Sequence, residues 1–408
     1  MAFTSSNFMA APGLYGTTGQ LDKLDVSDVL AAILLKDTAT LGQIAMSGSV
    51  KNIEHFWFED SLNDAYASIS LSMGADNSCA IGYFSKLSSS ASVLQVMRSG
   101  SLLRAEGYDM TYRAITASVC TSIVPHTSVT AAASAFEISV SVAMRFLVVG
   151  MPKADTATYS DDVSRIRTRR KNYTQVFERG IQIAETREHI DVYGVPDELK
   201  LQIKNRTYEI KRELNNAIVN GHPSGRTAVT PESEVRTMAG ILSLIRNPAM
   251  ATVRDANGYT IEDASGSGLT MTKINSLTEK IYSRGGIDDQ SNCCIIVGPA
   301  QARVIALLEE QRIRKSSKEL VVGSYANKIQ TDLGFELDVV LDRWFPPDVL
   351  CVLDKSRVKL MPLAGDAWHM EKMAKTSRVQ GYQLSGQYTM ELRNPDEAHG
   401  MIIQLAWS

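Results

Sequence analysis

Residues 196–221, PDELKLQIKNRTYEIKRELNNAIVNG, decide the architecture of this 408-residue chain. Pro196 and Asp197 form a helix start, and Gly221 a helix stop. Between them Leu199, Ile203, Ile210, Leu214 and Ile218 recur at helical spacing on one face. At 1.5 Å per residue the helix is a rod of roughly 34 Å. The opposite face carries Lys200, Lys204, Arg206, Lys211, Arg212 and Glu213, so the rod lies along a surface.

On the C-terminal side, residues 231–350 alternate between helical and strand-like patterns. Helices are expected at 232–246, near 271–284 and from about 300 to 314. Strands are expected at Cys293–Val297, Phe335–Leu341 and Val349–Leu353, and a Gly/Ser/Asp-rich loop at 248–270. Cys293 and Cys294 are adjacent in a strand, so their side chains should face opposite ways. The last fifty residues alternate as strands, notably Gln387–Leu392 and Met401–Leu405, with Arg393-Asn394-Pro395-Asp396 as a turn.

On the N-terminal side, the first twenty residues read as an extended arm. Val26, Val29, Leu30, Ile33 and Leu34 then form a short amphipathic helix with little nearby sequence to bury it. An aromatic strand, His55-Phe56-Trp57-Phe58, follows. From about 85 to 150 the composition shifts to Ser, Thr, Ala and Val. Short alternating runs there (Val93–Val96, Tyr112–Ile115 and Phe136–Val140) are separated by turn signals, which predicts a small inserted β module.

Composition excludes several classes of function. Hydrophobic residues are 44% and charged residues 21%, as in folded proteins, and the formal charge of −3 gives no general attraction to polyanions. No apolar run is long enough for a membrane span, and MAFTSSNFMAAPGLYG lacks the layout of a secretory signal. Five cysteines spread over the chain do not form a disulfide framework and suit a reducing cytoplasm.

No phosphate loop, dinucleotide fingerprint, nucleophile elbow or paired-histidine zinc motif is present. His55, His126, His189, His222, His369 and His399 are scattered, and no cysteine pair has ligand spacing. No catalytic, cofactor-binding or metal-binding residue is assigned, and no enzyme activity is expected. Two clusters merit notice. Arg165, Arg167, Arg169, Arg170 and Lys171 are read first as a solvated run, then as inter-subunit ion pairing, and last as a DNA contact. Asp366, Trp368 and His369 are read as an aromatic packed on a sheet with polar flanks.

Several strings resemble tailed-bacteriophage major capsid proteins. They are Lys359-Leu360-Met361-Pro362-Leu363, Trp368-His369, Met373-Ala374-Lys375-Thr376, Gln387-Tyr388-Thr389-Met390-Glu391-Leu392-Arg393-Asn394 and Ala398-His399-Gly400. Asn172-Tyr173-Thr174-Gln175-Val176-Phe177 before the long helix, and Trp57 with Asp60, match as well.

The resemblance implies an α+β Hong Kong ninety-seven-type fold. Its parts would be an N-terminal arm at 1–53 and an E-loop region at 54–170 holding the β-barrel-like module at about 85–150. A P-domain would follow at 171–230 with its spine helix at 197–220, then an A-domain at 231–354 and returning C-terminal strands at 355–408. It implies a structural subunit that self-assembles into pentamers and hexamers of an icosahedral head holding double-stranded DNA by confinement. The partners implied are a portal, a separate scaffolding protein and decoration proteins. The place is the virion, after synthesis in the host bacterial cytoplasm without a membrane. The alternatives are an encapsulin-like nanocompartment shell and, from a different class, a hydrolase or ligand-binding α/β protein using the lobe at 231–350, for which no convergent set of polar groups is found.

On this reading, deleting 1–45 should leave a folded protomer that fails to assemble, and the stretch 88–150 should be dispensable for the core.

Overall fold

The computed structural model describes residues 38–60, 66–69, 81–82, 102–105, 111–114, 123–125, 145–150, 152, 155, 167–188, 197–224, 235–246, 260–310, 328–374 and 378–406. The helix expected at 26–34, the runs Val93–Val96 and Phe136–Val140, and Arg165 lie outside them.

A short helix α1 (Ala39–Gln43) leads into β1 (Ala45–Met46) and then β2 (Glu54–Glu59). Strands β3 (Tyr66–Ile69), β4 (Ile81–Gly82), β5 (Leu102–Ala105), β6 (Thr111–Ala114), β7 (Ile123–Pro125) and β8 (Arg145–Gly150) form an antiparallel sheet in the order β4-β3-β8-β5-β6-β7. This sheet reaches outside the span 85–150, because β8 pairs with β3 at 66–68. Removing 88–150 would strip β3 of that neighbour, so a clean excision has to take 66–150.

Strand β9 (Thr168–Tyr173) pairs antiparallel with β2 to make a two-stranded ribbon. After Thr174 the same run of chain continues as β10 (Gln175–Ala184), so the ribbon grows directly out of a larger sheet. A single turn α2 (Glu185–Glu188) follows, and then the long helix α3 (Glu198–Asn220). Asp197 caps it, its carboxylate accepting from Lys200 N–H at 3.0 Å. Pro196 is outside the described residues.

Burial along α3 is uneven. Ile210, Leu214, Asn215, Ile218 and Val219 are buried, whereas Leu199 and Ile203 are only half-buried. Gly221 ends the helix for a different reason from the usual left-handed cap, since its φ is −53°. A Cβ there would stand 2.3 Å from the Ala217 carbonyl oxygen and 2.6 Å from that of Met238.

The helix expected over 232–246 is shorter, α4 being Ile241–Arg246. Residues 238–240 are instead drawn against their neighbours. Ala239 N–H donates to Asn172 at 2.9 Å and Gly240 N–H to the Gly221 carbonyl at 2.8 Å. These bonds spend the amides that an earlier helical turn would arrange along its own axis.

Strand β11 (Ile261–Asp263) lies inside the expected loop 248–270, paired parallel with β19 (Gly400–Ile403). Between them come α5 (Met271–Ser283), β12 (Cys293–Val297), α6 (Pro299–Glu310), β13 (Lys328–Gln330), β14 (Glu336–Leu341), β15 (Leu350–Asp354), β16 (Val358–Pro362), β17 (His369–Lys372) and β18 (Val379–Leu392). One mixed sheet runs β11-β19-β15-β12-β14-β13, and another β1-β16-β18-β10 with β17 also on β18.

Strand β12 shows why the first of these sheets is central. Cys294 and Ile296 join one apolar cluster, while Cys293, Ile295 and Val297 join the other. Strand geometry puts alternate residues on opposite faces, so a run apolar at every position is buried on both. The first cluster joins α3, α4 and both sheets; the second packs α5 and α6 on the far face. Residues from before and after position 230 therefore share one apolar cluster. Burial raises the thiols of Cys293 and Cys294 to about 12, which leaves them unreactive packing groups.

Strand β18 is fourteen residues long rather than six. Gly381, Ser385 and Gly386 conceal its first half from pattern reading. Gly386 is required by packing, since a Cβ there would lie 2.9 Å from a Trp368 ring carbon.

Residues 38–46, within the expected arm, are part of the subunit. Asp342 is fully buried and accepts from Thr40 N–H at 3.2 Å, Thr40 Oγ1 at 2.5 Å and Asn215 Nδ2 at 2.9 Å. Leu41 N–H donates to Asn215 Oδ1 at 2.9 Å, and β1 pairs with β16. The expectation that deleting 1–45 spares folding is thereby corrected. A chain beginning at residue 38 keeps these contacts and is the reference for their contribution. Deleting 1–46 should remove about 3–5 kcal/mol, because it leaves the Asp342 carboxylate buried without two of its donors. Thermal unfolding of the two truncated proteins compares them directly.

Candidate assembly surface and its anchoring network

The described residues contain no group of three His, Cys, Asp or Glu side chains placed to hold a metal. They also contain no helix long and apolar enough to cross a membrane. The polar groups that the fold does concentrate lie where the β2–β9 ribbon meets the turn after β18.

The inner face of the ribbon presents His55, Trp57, Glu59 and Arg170. Glu59, 7% exposed, accepts from Trp57 Nε1 at 3.0 Å and Asn394 N–H at 2.9 Å through one oxygen, and from Arg170 Nε at 3.0 Å through the other. Arg170 also reaches both oxygens of Asp396 at 3.2 Å. Beside this chain, Glu391 pairs with His55 Nε2 at 3.2 Å and with Arg393. Burial pushes the Glu391 carboxyl up, but the hydrogen bonds from His55 and Arg393 outweigh it and the net shift is downward.

Of the basic run, Arg169, Arg170 and Lys171 lie in strand β9, and Arg167 just precedes it. Arg167 meets Asp60 at 3.4 Å, Arg169 lies over the Phe56 ring at 4.9 Å, and Lys171 lies over Tyr173 at 5.0 Å. The hydrogen bond to Tyr173 raises the pKa of Lys171.

Asn172 fastens the base of the ribbon. It is fully buried and makes four bonds. Nδ2 donates to the carbonyls of Met390 at 2.7 Å and Ala239 at 3.1 Å, while Oδ1 accepts from Tyr173 N–H at 2.8 Å and Ala239 N–H at 2.9 Å. Two donors and two lone pairs are the whole capacity of an amide, so none is left over.

His399 lies close by, also fully buried. Its Nδ1 accepts from Asp354 N–H at 3.1 Å and its Nε2 faces the Arg393 carbonyl at 3.1 Å, which assigns the proton to Nε2. Burial lowers its pKa from 6.5 to about 4. The unfolded chain therefore takes up this proton first as pH falls through 6.5, and the native state loses stability down to about 4. The loss approaches about 3 kcal/mol. The depressed Glu391 acts in the same direction at lower pH. Urea midpoints at pH 7 and pH 4.5 should show the drop, and His399→Gln should flatten it.

Asp366, Trp368 and His369 lie along β17 and the turn before it. Trp368 packs between Tyr388, at 4.9 Å between ring centroids, and Phe177, at 6.2 Å. His369 Nε2 meets Ser385 Oγ at 3.2 Å and its Nδ1 meets Asp366 at 3.4 Å, a row with the atom order of a hydrolytic triad. The Nδ1 atom is nearer the Ala367 carbonyl, at 2.8 Å, and the group stands on an open sheet face. A hydrolytic triad needs the carboxylate, not a carbonyl, to orient the imidazole in a water-excluding pocket.

His222 contacts Ser243 at 3.4 Å, away from these groups. His126 and His189 lie outside the described residues. Sequence reading missed Glu59, Asp396 and Asp342; the Trp57–Asp60 and Arg393–Asp396 strings were the available signal.

The strings that resembled a capsid protein thus converge on one structural joint: Trp57, Asn172, Glu391, Asn394 and His399. The SU10 major capsid protein family matches residues 11–406, nearly the whole sequence. The chain belongs to that family.

Among curated proteins, the major capsid protein of Escherichia phage Phieco32 is 21% identical over 271 residues, 55% of this chain and 73% of that protein. Among solved structures, the capsid of a native GTA particle superposes with a TM-score of 0.53 at 10% identity, covering 99% of this chain and all of that one. The SrpI encapsulin of Synechococcus elongatus gives 0.41 at 12% identity over 59% of this chain and 77% of that one. The SU10-family chain is a phage major capsid protein with a Hong Kong ninety-seven-type fold. Within it, the polar joint just described sets the direction in which the ribbon leaves the core.

Proposed function

We propose that this chain is the repeating subunit of an icosahedral head, assembling into pentamers and hexamers that confine double-stranded DNA. The observation that carries the reading is the family match over residues 11–406. Head-to-tail contacts between unlike surfaces close into rings, and one chain can close rings of both sizes when its projecting parts adjust. Supporting this, the ribbon is fastened at its base by Asn172, while Phe56 and Phe58 on its outer face are exposed.

The portal is the entry point for DNA, a separate scaffolding protein guides curvature, and decoration proteins bind outside. The residues of the chain carry structure rather than catalysis, and assembly follows synthesis in the host cytoplasm. Negative-stain imaging of the purified full chain tests this. Closed shells are the expected result. A monodisperse monomer at concentrations where related shells form would overturn it. Shells that fill with a protein cargo and never with DNA would point to the nanocompartment alternative.

A further inference from the structure

The sequence holds two Asn-Gly steps, 220–221 and 257–258, the pairing in which an asparagine most readily cyclises onto the next amide. Asn257 and Gly258 lie outside the described residues. Asn220 is the last residue of α3 and is exposed. Gly221 cannot be exchanged, because a Cβ there would meet the Ala217 and Met238 carbonyl oxygens at 2.3 and 2.6 Å. The fold therefore requires a glycine directly after Asn220, where any bulkier residue would slow cyclisation.

Both reacting groups are held. The nucleophile would be the Gly221 nitrogen, whose N–H donates to the Ala217 carbonyl at 2.9 Å. The leaving group would be the Asn220 amide nitrogen, which donates to the Trp344 carbonyl at 3.3 Å. Gly221 is fixed from its other side as well, its carbonyl accepting from Gly240 N–H at 2.8 Å. Ring closure needs Asn220 to leave its helical ψ and the Gly221 nitrogen to lose its proton, and these bonds oppose both. We infer that Asn220 is a deamidation site gated by the end of α3. It is shut while the last turn is closed and converts when that turn frays.

The step needs only water. On opening, the Gly221 nitrogen gives its proton to solvent and attacks Asn220 Cγ. The Cγ–Nδ2 bond breaks, and the amide nitrogen takes up a proton and leaves as ammonia. Water then opens the succinimide at either carbonyl, giving an aspartyl or isoaspartyl residue at 220. Both products are worse placed than the amide. The carboxylate no longer donates to the Trp344 carbonyl, and it stands at the negative end of the helix dipole. The isoaspartyl form also adds a backbone carbon just before Gly221, where the neighbouring carbonyls leave no room. Conversion thus loosens the tie between α3 and the turn that follows β14, and refolding does not reverse it.

Peptide mass mapping of the full chain, aged in mildly alkaline buffer, tests this. Conversion reads as a gain of about 1 Da in the peptide spanning 220–221. In native buffer Asn220 should convert at least about tenfold more slowly than in urea, where the peptide spanning 257–258 reports the unrestrained rate of such a step. Leu214→Ala, which opens a cavity beneath the last turns of α3, should speed native conversion several-fold and leave the rate in urea unchanged. Asn220→Asp, which stands for the aspartyl product, should lower the melting midpoint by about 1–3 °C. Equal rates in native buffer and urea would overturn the gate, and no gain at 220 in urea would overturn the site. A Leu214→Ala rate equal to wild type would mean that the end of α3 does not control the step. An Asn220→Asp midpoint at or above wild type would overturn the loosening.

Discussion

Ile210→Asp should accumulate as insoluble chain with no cooperative melting transition. Ile210 is 1% exposed and packs in the cluster that joins α3 to both sheets. Removing its methyl groups leaves a cavity, and the carboxylate that replaces them must either shed its charge or sit unpaired in an apolar seam. Either route costs several kcal/mol, against a total stability of about 5–15 kcal/mol. Leu214→Ala, one turn along the same buried stripe, should cost about 2–5 kcal/mol and remain measurable. Lys204→Ala is on the exposed face and should leave melting within about 0.5 kcal/mol of wild type. Soluble yield and circular-dichroism melting of the three proteins check the order. A soluble Ile210→Asp protein with wild-type melting would mean that α3 does not dock on this face.

Asn172→Ala is expected to be as damaging without introducing any charge. It strands the Ala239 amide and carbonyl, the Met390 carbonyl and the Tyr173 amide, all partners of one side chain. Each buried group left without a partner costs about 1–3 kcal/mol, so the loss should be at least about 4 kcal/mol. Asn172→Asp keeps the accepting oxygen but turns the donating end into an oxygen aimed at two carbonyls, and should do no better. Pulse proteolysis in urea would rank these variants even when refolding is irreversible. A midpoint close to wild type for Asn172→Ala would show that water replaces the amide at the joint.

Elements with a strong local period were legible in sequence. The long helix was, because a cap at Asp197 and an apolar residue every three or four positions describe an amphipathic rod whatever surrounds it. So was β12, where five consecutive apolar residues required burial on both faces. Sequence strings also carried the resemblance to capsid proteins. The first half of β18 was not legible, since Gly386 is explained only by the ring of Trp368 and Gly381 lies against the Met373 side chain, both contacts set by the packing of β17 on β18. Nor was the short α4, because the bonds that hold residues 238–240 out of the helix come from Asn172 and Gly221.

Periodicity thus determined which faces of which segments avoid water, while the α+β architecture was what the resemblance implied. Only the tertiary structure decided which polar groups meet. The Glu59–Arg170–Asp396 bridge spans three distant stretches, and Thr40 finds Asp342 across 302 positions. The physical reason is that apolar burial is non-directional and is written into local spacing, whereas a buried hydrogen bond depends on the relative placement of segments that spacing alone leaves free.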